Sequence, residues 1–360
     1  MSGPRAGSGA GLSVSQKPSP TAATPSRSPG PDGRERFTQR ELDEVLGRYE
    51  LGEIRSVKEV PLGTPASPKA VIACARGTML LKRRARGVDA PEMVAFAHEV
   101  LLGCLATGVC VPPLVGTRGQ NNSMVQIDDR IYELFVYIDG NADPRTKDAA
   151  LGAGALLGEL HNAMDTVAAA GLGWAAPVEA AVIDPARVDR ARGVDAEIAD
   201  AVRGVLTRAA VHAGGSARSL VHGDWHPGNL VFRGDEPVAV CDFDNARSGS
   251  RPREVAQGLV QFSLTRGAPG EPPERWPGEA DLDRVAAHWR GYRETVRAPA
   301  DIPAVVGLMP GVLLDEVLGG AADPRTVWMV LRKAQWLEDH AGEIRALLKK
   351  TSSVDAGGPP

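Results

Sequence analysis

Two short polar stretches carry the chemistry open to this chain. Residues 222–229 read HGDWHPGN and residues 241–246 read CDFDNA. Carboxylate, imidazole and carboxamide crowd together beside apolar segments, which neither a core nor an ordinary loop requires. LVF (230–232) and VAVC (238–241) have strand character and RGDEP between them is turn-forming, so the pattern predicts a β-hairpin. Its antiparallel geometry sets Asn229, where the first strand starts, beside Asp242, where the second ends. A carboxamide oxygen and a carboxylate fixed side by side suit a hard, octahedral ion such as Mg²⁺. Asp224, on the loop leading into that pair, is placed to accept a proton from an attacking hydroxyl while the ion neutralises a transferred phosphoryl group.

The remaining segments have to hold that hairpin in place. Residues 1–35 are rich in Ser, Pro, Gly and Ala without core-forming periodicity, and they read as a disordered tail, as do residues 351–360. Thr38 N-caps a short amphipathic helix, with Glu41 as its capping-box partner. Three β-type segments follow at 54–62, 69–75 and 78–84, separated by the loop 63–68 and by Arg76-Gly77. A helix from Pro91 to Ala106 comes next, with Val94, Ala97, Leu101 and Leu105 at helical spacing. SMVQID and IYELFVYI add two strands around Asp128-Asp129. This order makes a small α+β lobe over residues 36–138. Over 139–350 helical spacing recurs at 146–170, 194–213, 281–297 and 325–350, and the hairpin is the exception.

His222, Asp224 and Asn229 stand at the spacing of the H-x-D-x-x-x-x-N signature of the eukaryotic-like kinase superfamily, and Asp242-Phe243-Asp244 stands where protein kinases have Asp-Phe-Gly. HGDxHxxN rather than HRDLxxxN resembles its small-molecule branch, the family of aminoglycoside phosphotransferases, choline kinases and type II homoserine kinases. MLLKRRARG, LATGVCVPPLVGT, YELFVYIDG and LGELHNAM are similar to that family's lysine strand, helix-to-strand passage, hinge and first large-lobe helix, so the resemblance spans roughly residues 37–345. It implies a bilobal protein-kinase-like fold of the α+β class, with a five-stranded antiparallel sheet and one helix in the small lobe and a mainly helical large lobe. It further implies transfer of the γ-phosphoryl group of ATP, with Mg²⁺, to a hydroxyl of a small molecule: an amino alcohol, sugar, amino sugar or aminoglycoside. The alternative on the same fold is an inactive nucleotide-binding regulatory module. A protein kinase is disfavoured because no Ala-Pro-Glu closes an activation segment after Asp242.

Carried onto this sequence, the resemblance makes Asp224 the base, Asn229 and Asp242 the metal ligands and Lys82 the phosphate clamp. Glu99 becomes the helix partner of Lys82, with Glu92 as its rival, and Ser67 of GTPASP faces the β-phosphate. Adenine falls at a hinge of Glu133, Phe135 and Tyr137; His222 braces backbone, and Asp244 supports a second ion or the loop. Plainer readings stand beside these: Lys82 and Glu99 as solvated charges, Ser67 in an ordinary turn. Trp225 and His226 line the acceptor pocket or pack beneath the loop, while His161, Trp289 and Tyr292 read mainly as large-lobe packing. One departure concerns the aspartate with which the family tends to anchor the catalytic loop. Here RPREVAQGL offers Glu254 instead.

A net charge of -4 gives no global reason to bind nucleic acid or an anionic membrane. Four cysteines without CxxC spacing read as free thiols of a reducing cytoplasm. No run approaches the roughly 18 consecutive apolar residues of a membrane helix, and the N-terminus lacks the order of a secretory signal, so a cytoplasmic protein is expected. Recognition of a cationic aminoglycoside would need an acidic pocket, for which Glu294, Asp315, Glu316 and Asp323 are the candidates. The oligomeric state is not legible.

Overall fold

The computed structural model describes residues 33–353 apart from 180, 182, 191–194, 214–216, 269–270 and 320–323. Most of both predicted tails therefore lies outside the described residues. The inner end of the first does not: Glu35 pairs with Arg83 (2.6 Å) and Arg130 (3.1 Å), and its N–H donates to Pro65 O (2.9 Å). Glu35 therefore packs with the small lobe and is not part of a free tail.

Helix α1 (Gln39–Leu46) starts on the predicted capping box, with Thr38 Oγ1 accepting from Glu41 N (3.1 Å) and Glu41 Oε2 accepting from Thr38 N (2.7 Å). Strands β1 (Ile54–Val60), β2 (Lys69–Cys74), β3 (Gly77–Arg83), β4 (Val125–Ile127) and β5 (Arg130–Val136) form an antiparallel sheet of order β1-β2-β3-β5-β4. Strand alternation sorts its two faces. Met79 and Leu81 of β3 and Tyr132 and Leu134 of β5 enter the small-lobe core with Val45 and Tyr49. Leu80, Lys82, Glu133 and Phe135 face the other way, into the cleft between the lobes. Helix α2 (Pro91–Ala106) has the predicted limits, but Phe96, Val100, Leu101 and Cys104 belong to the large-lobe core.

The large lobe contains α3 (Lys147–Ala170), α4 (Arg187–Arg190), α5 (Ala196–Val211), α6 (Arg251–Ser263), α7 (Leu282–Thr295), α8 (Ile302–Gly319), α9 (Pro324–Asp339) and α10 (Ala341–Ser353). The predicted helix 325–350 is thus two helices that meet at His340. Helices α3 and α7 run backbone to backbone: a Cβ on Gly291 would fall 2.0 Å from Leu151 O, and one on Gly154 would fall 1.9 Å from His288 O. Two helices escaped the periodicity reading for opposite reasons. Helix α6 buries polar residues (Arg253, Glu254, Gln257) along with apolar ones, whereas α8 is apolar nearly all round. By length and mean hydropathy (1.6) α8 is the single candidate membrane span among the described residues, yet it packs against α5, α6 and α9.

Two ribbons hold the polar stretches. The predicted hairpin is β7 (Leu230–Arg233) with β8 (Glu236–Val240), Leu230 opposite Val240 and Gly234 turning with φ 61°. An unpredicted pair, β6 (Arg218–Val221) with β9 (Arg247–Ser250), sets Val221 opposite Arg247 and so fixes where the polar stretch 222–229 starts.

Candidate active site

The loop 222–229 runs from β6 to β7 and is pinned from beneath. Gly223 has φ 83°, and a Cβ there would lie 2.1 Å from Asn245 O, so both backbone conformation and close approach require glycine. Glu254 of α6 accepts from His222 N (3.2 Å) and Gly223 N (2.5 Å) and is held by His161 Nε2 (2.8 Å), whose Nδ1 meets Tyr292 Oη (3.2 Å). The longer carboxylate therefore does the anchoring, with buried His161 as its support. His222 Nε2 donates to Cys241 O (3.0 Å) while its ring abuts Phe243. Trp225 is fully buried, with its N–H on Gln257 Oε1 (3.1 Å), and Trp289 and Tyr292 are core residues.

These anchors present Asp224, whose side chain is 34% exposed. Asn229 Nδ2 donates to Asp224 Oδ2 (3.1 Å) and to Asp224 O (2.9 Å), leaving Asn229 Oδ1 outside those bonds. His226 Nδ1 accepts from Gly228 N (3.0 Å), so the proton of its neutral ring sits on Nε2, 3.5 Å from Asp224 Oδ2. Burial works against the charge of Asp224. The bond to His226 and the nearness of His222 outweigh it and keep the carboxyl below its usual pKa.

Across the hairpin, Cys241 N donates to Asn229 O (2.8 Å), which draws the start of β7 and the end of β8 together as expected. Asp242 follows in the left-handed region (φ 66°), uncommon for a residue with a Cβ. Its Oδ1 meets Lys82 Nζ (2.9 Å) and its Oδ2 meets Lys69 Nζ (3.2 Å). Lys82 Nζ also bonds Asp244 (2.5 Å), which Arg84 contacts as well (3.1 Å). Burial alone would lower the Lys82 pKa, but Asp242, Asp244 and Glu133 raise it. Burial likewise opposes ionisation of Asp242, yet Lys82 and Lys69 hold its carboxyl well below the usual range. Among the described residues no group of three or more His, Cys, Asp or Glu can enclose a metal. An ion held here would have to complete its shell from a bound ligand.

The sequence profile of the phosphotransferase enzyme family (APH) matches residues 57–298. The chain belongs to this family. Solved structures similar to this phosphotransferase include an aminoglycoside phosphotransferase from Alicyclobacillus acidocaldarius, with 15% identity, a TM-score of 0.58 and coverage of 86% of this chain and 96% of that one. A microcompartment-associated aminopropanol kinase has 17% identity, a TM-score of 0.58 and coverage of 87% and 97%. An amicoumacin kinase, in complex with AMP-PNP and Ca²⁺, has 13% identity, a TM-score of 0.56 and coverage of 87% and 97%. At such identities the likeness is one of fold, and the fold is the bilobal one expected. No curated protein matches the chain in sequence.

In this phosphotransferase several expected nucleotide contacts are engaged elsewhere. Glu99 accepts from Gly173 N (2.7 Å) and Trp174 N (3.2 Å), and neither it nor Glu92 forms an ion pair with Lys82. The sheet supplies the acid instead: Glu133, paired in register with Lys82, lies 4.0 Å from its Nζ and grips Arg84 with both oxygens (2.9 Å each). On α2 it is His98 that meets Glu133 (2.5 Å). Glu133 is therefore a buried strand residue and not part of a hinge. Ser67 N donates to Thr64 O (3.1 Å), closing the turn, and its buried Oγ donates to Arg83 O of β3 (2.7 Å), so both of its donors are engaged within the small lobe. Phe135 does line the cleft, whereas Tyr137 lies beyond β5 with its N–H on Thr78 O (3.0 Å). The acidic quartet does not converge: Glu294 sits beside Arg290 (3.7 Å), Asp315 is buried against Arg253 (2.9 Å) and Arg187 (2.7 Å), and Asp323 is outside the described residues. Only Glu316 lies within the field of Asp224 and His226. Lys69 and Arg84 were missed. Lys69 is opposite Lys82 in register, a relation visible only once the strands are paired.

Proposed function

We propose that this phosphotransferase moves the γ-phosphoryl group of ATP, with Mg²⁺, to a hydroxyl of a small molecule. The observation that carries the reading is the position of Asp224, bonded at once to Asn229 at the nucleotide side and to His226, which lines a second cavity of about 330 Å³. Family membership and the AMP-PNP complex of the amicoumacin kinase support the nucleotide.

Asn229 Oδ1 and the Asp242 carboxylate are the residues that would hold Mg²⁺, and two ammonium groups on Asp242 already mark it as a place that takes positive charge. When bound, Mg²⁺ supplies neutralisation of the phosphates. Lys82 leaves Asp242 for the phosphate oxygens. Asp224 orients the acceptor hydroxyl and takes its proton as the oxygen bonds to the γ-phosphorus; the bond from phosphorus to the bridging oxygen breaks, and ADP leaves with that electron pair. Glu254 and His161 keep the loop rigid.

The test is a pair of variants. Asp224→Asn should retain Mg-ATP affinity in calorimetry while kcat falls by roughly 10²–10⁴, the scale for a positioned base. Asp242→Asn should weaken both Mg²⁺-dependent nucleotide binding and turnover. Loss of Mg-ATP binding in the first with retention in the second would show the roles to be misassigned.

A further inference from the structure

The cavity on the acceptor side is walled by arginine. Arg145, Arg266 and Arg284 line it together with Asp143, His226 and Gln261. Arg284 is committed to Asp281 (2.9 Å) and to Leu264 O (3.0 Å). Arg145 and Arg266 make no ion pair or side-chain hydrogen bond with any described residue. They stand in each other's field: burial and the charge of Arg145 both lower the Arg266 pKa, with Asp143 opposing. Arg145 is also held in the left-handed region (φ 61°), a conformation uncommon for a residue with a Cβ. Asp143 Oδ1 secures that turn by accepting from Arg145 N (2.9 Å).

Two guanidinium groups in one cavity wall, faced there by the single carboxylate of Asp143, leave a net positive charge that suits an oxyanion, since guanidinium forks match carboxylate and phosphate oxygens. Glu316, which lies in the field of Asp224 and His226 and outside the residues that line the cavity, does not reverse this. Glu316 bonds Gln261, and burial pushes its pKa up to about 7, so it carries only part of a charge at neutral pH. An acceptor with several ammonium groups would meet the arginines on entry, with Asp143 as the one acid on the cavity wall. We infer that the acceptor of this enzyme bears an oxyanion, a carboxylate or a phosphate ester, which Arg145 and Arg266 hold while its hydroxyl reaches Asp224. The inference rests on the kinase reading of Asp224 and deepens it by naming the class of acceptor.

The experiment uses the full chain saturated with Mg²⁺ and AMP-PNP, whose binding is measured first by calorimetry. Glycerate, glycerol 3-phosphate, glycerol and ethanolamine are then titrated in turn. Glycerate or glycerol 3-phosphate should bind at least tenfold more tightly than glycerol or ethanolamine, and whichever binds better identifies carboxylate or phosphate. The Arg145→Gln/Arg266→Gln double variant, checked for an unchanged melting temperature, should lose that binding by tenfold or more with AMP-PNP affinity within twofold. Each single variant is the fallback should the double variant melt lower. Tighter binding of ethanolamine, no binding of either oxyanion, or oxyanion binding indifferent to the arginines would overturn the inference. Absence of AMP-PNP binding would instead sink the kinase reading itself.

Discussion

The cleft beneath the sheet and the cavity behind His226 use the same side-chain types in opposite states. In the cleft Lys69, Lys82, Arg84, Glu133, Asp242 and Asp244 are paired with one another, and the space left among them is about 60 Å³. The cavity proposed for the acceptor is about 330 Å³, with Arg145 and Arg266 in no ion pair among the described residues. Ligand pockets commonly start near ~300 Å³, so the second can receive a small molecule as it stands and the first cannot. On the proposed reading, nucleotide binding is an exchange in which phosphates take the lysines from Asp242, and acceptor binding is an addition to charges already waiting.

The sharpest way to break this contrast is to unpair the cleft. Glu133 is fully buried between Arg84, His98 and Lys82, and removing one member of such a network leaves cations buried without compensation. Glu133→Gln should lower unfolding free energy in urea by about 3–5 kcal/mol, whereas Glu99→Gln, on an exposed backbone contact, should cost about 1 kcal/mol or less. Equal costs would mean that the cleft is not the tightly coupled region described.

A second test sets the acids of the two regions against each other through pH. Asp242 and Glu133 are held ionised by their partners, but burial keeps Glu316 protonated up to about pH 7. An unfolded glutamate ionises near ~4.3. Between those values the native state binds more protons, so the contribution of Glu316 is fully present below the lower value and is lost as pH rises through the upper one. Glu316→Gln has no such slope. Going from pH 5 to pH 8, the stability of the variant relative to the parent should rise by on the order of 2 kcal/mol, read by denaturant unfolding at each pH. A difference that stays flat would show that Glu316 is ionised in the native protein.

What was legible in advance follows the range of the interactions involved. The Thr38 capping box, the limits of α2 and the hairpin beside Asn229 and Asp242 all depend on residues near in sequence, and the structure has them where local chemistry put them. Glu254 was found as the nearest acid after the metal loop because a single turn of α6 carries it to His222 and Gly223. Glu133 was named but given the wrong task, since β3 and β5 are neighbours only across an intervening helix and strand, and periodicity says nothing of which strands adjoin. The same blindness hid Lys69. Helices α6 and α8 lack the apolar stripe that announces a helix, α6 because it buries polar side chains and α8 because it is apolar nearly all round.

Lys69 therefore supplies the smallest and most discriminating test. The loop between β1 and β2 has a single glycine, and Ser67 spends its N–H within its own turn and its hydroxyl on Arg83 O of β3, so the loop offers few of the free backbone donors with which a glycine-rich loop cradles phosphates. Lys69 Nζ lies directly under Gly63, where an added Cβ would come within 2.8 Å, and reaches Asp242 from the side opposite Lys82. A second ammonium group at that point replaces the missing donors. Lys69→Met keeps the apolar stem and removes the charge, and should weaken Mg-ATP about tenfold, near 1.4 kcal/mol, while leaving adenosine affinity unchanged. Arg83→Ala is the control from the opposite face of β3: its guanidinium holds Glu41 and Glu35, so it should lower the melting temperature and leave Mg-ATP affinity within twofold. If Lys69→Met weakened adenosine and ATP alike, the lysine would be shaping the cleft, and the phosphates would owe their binding to Lys82 alone.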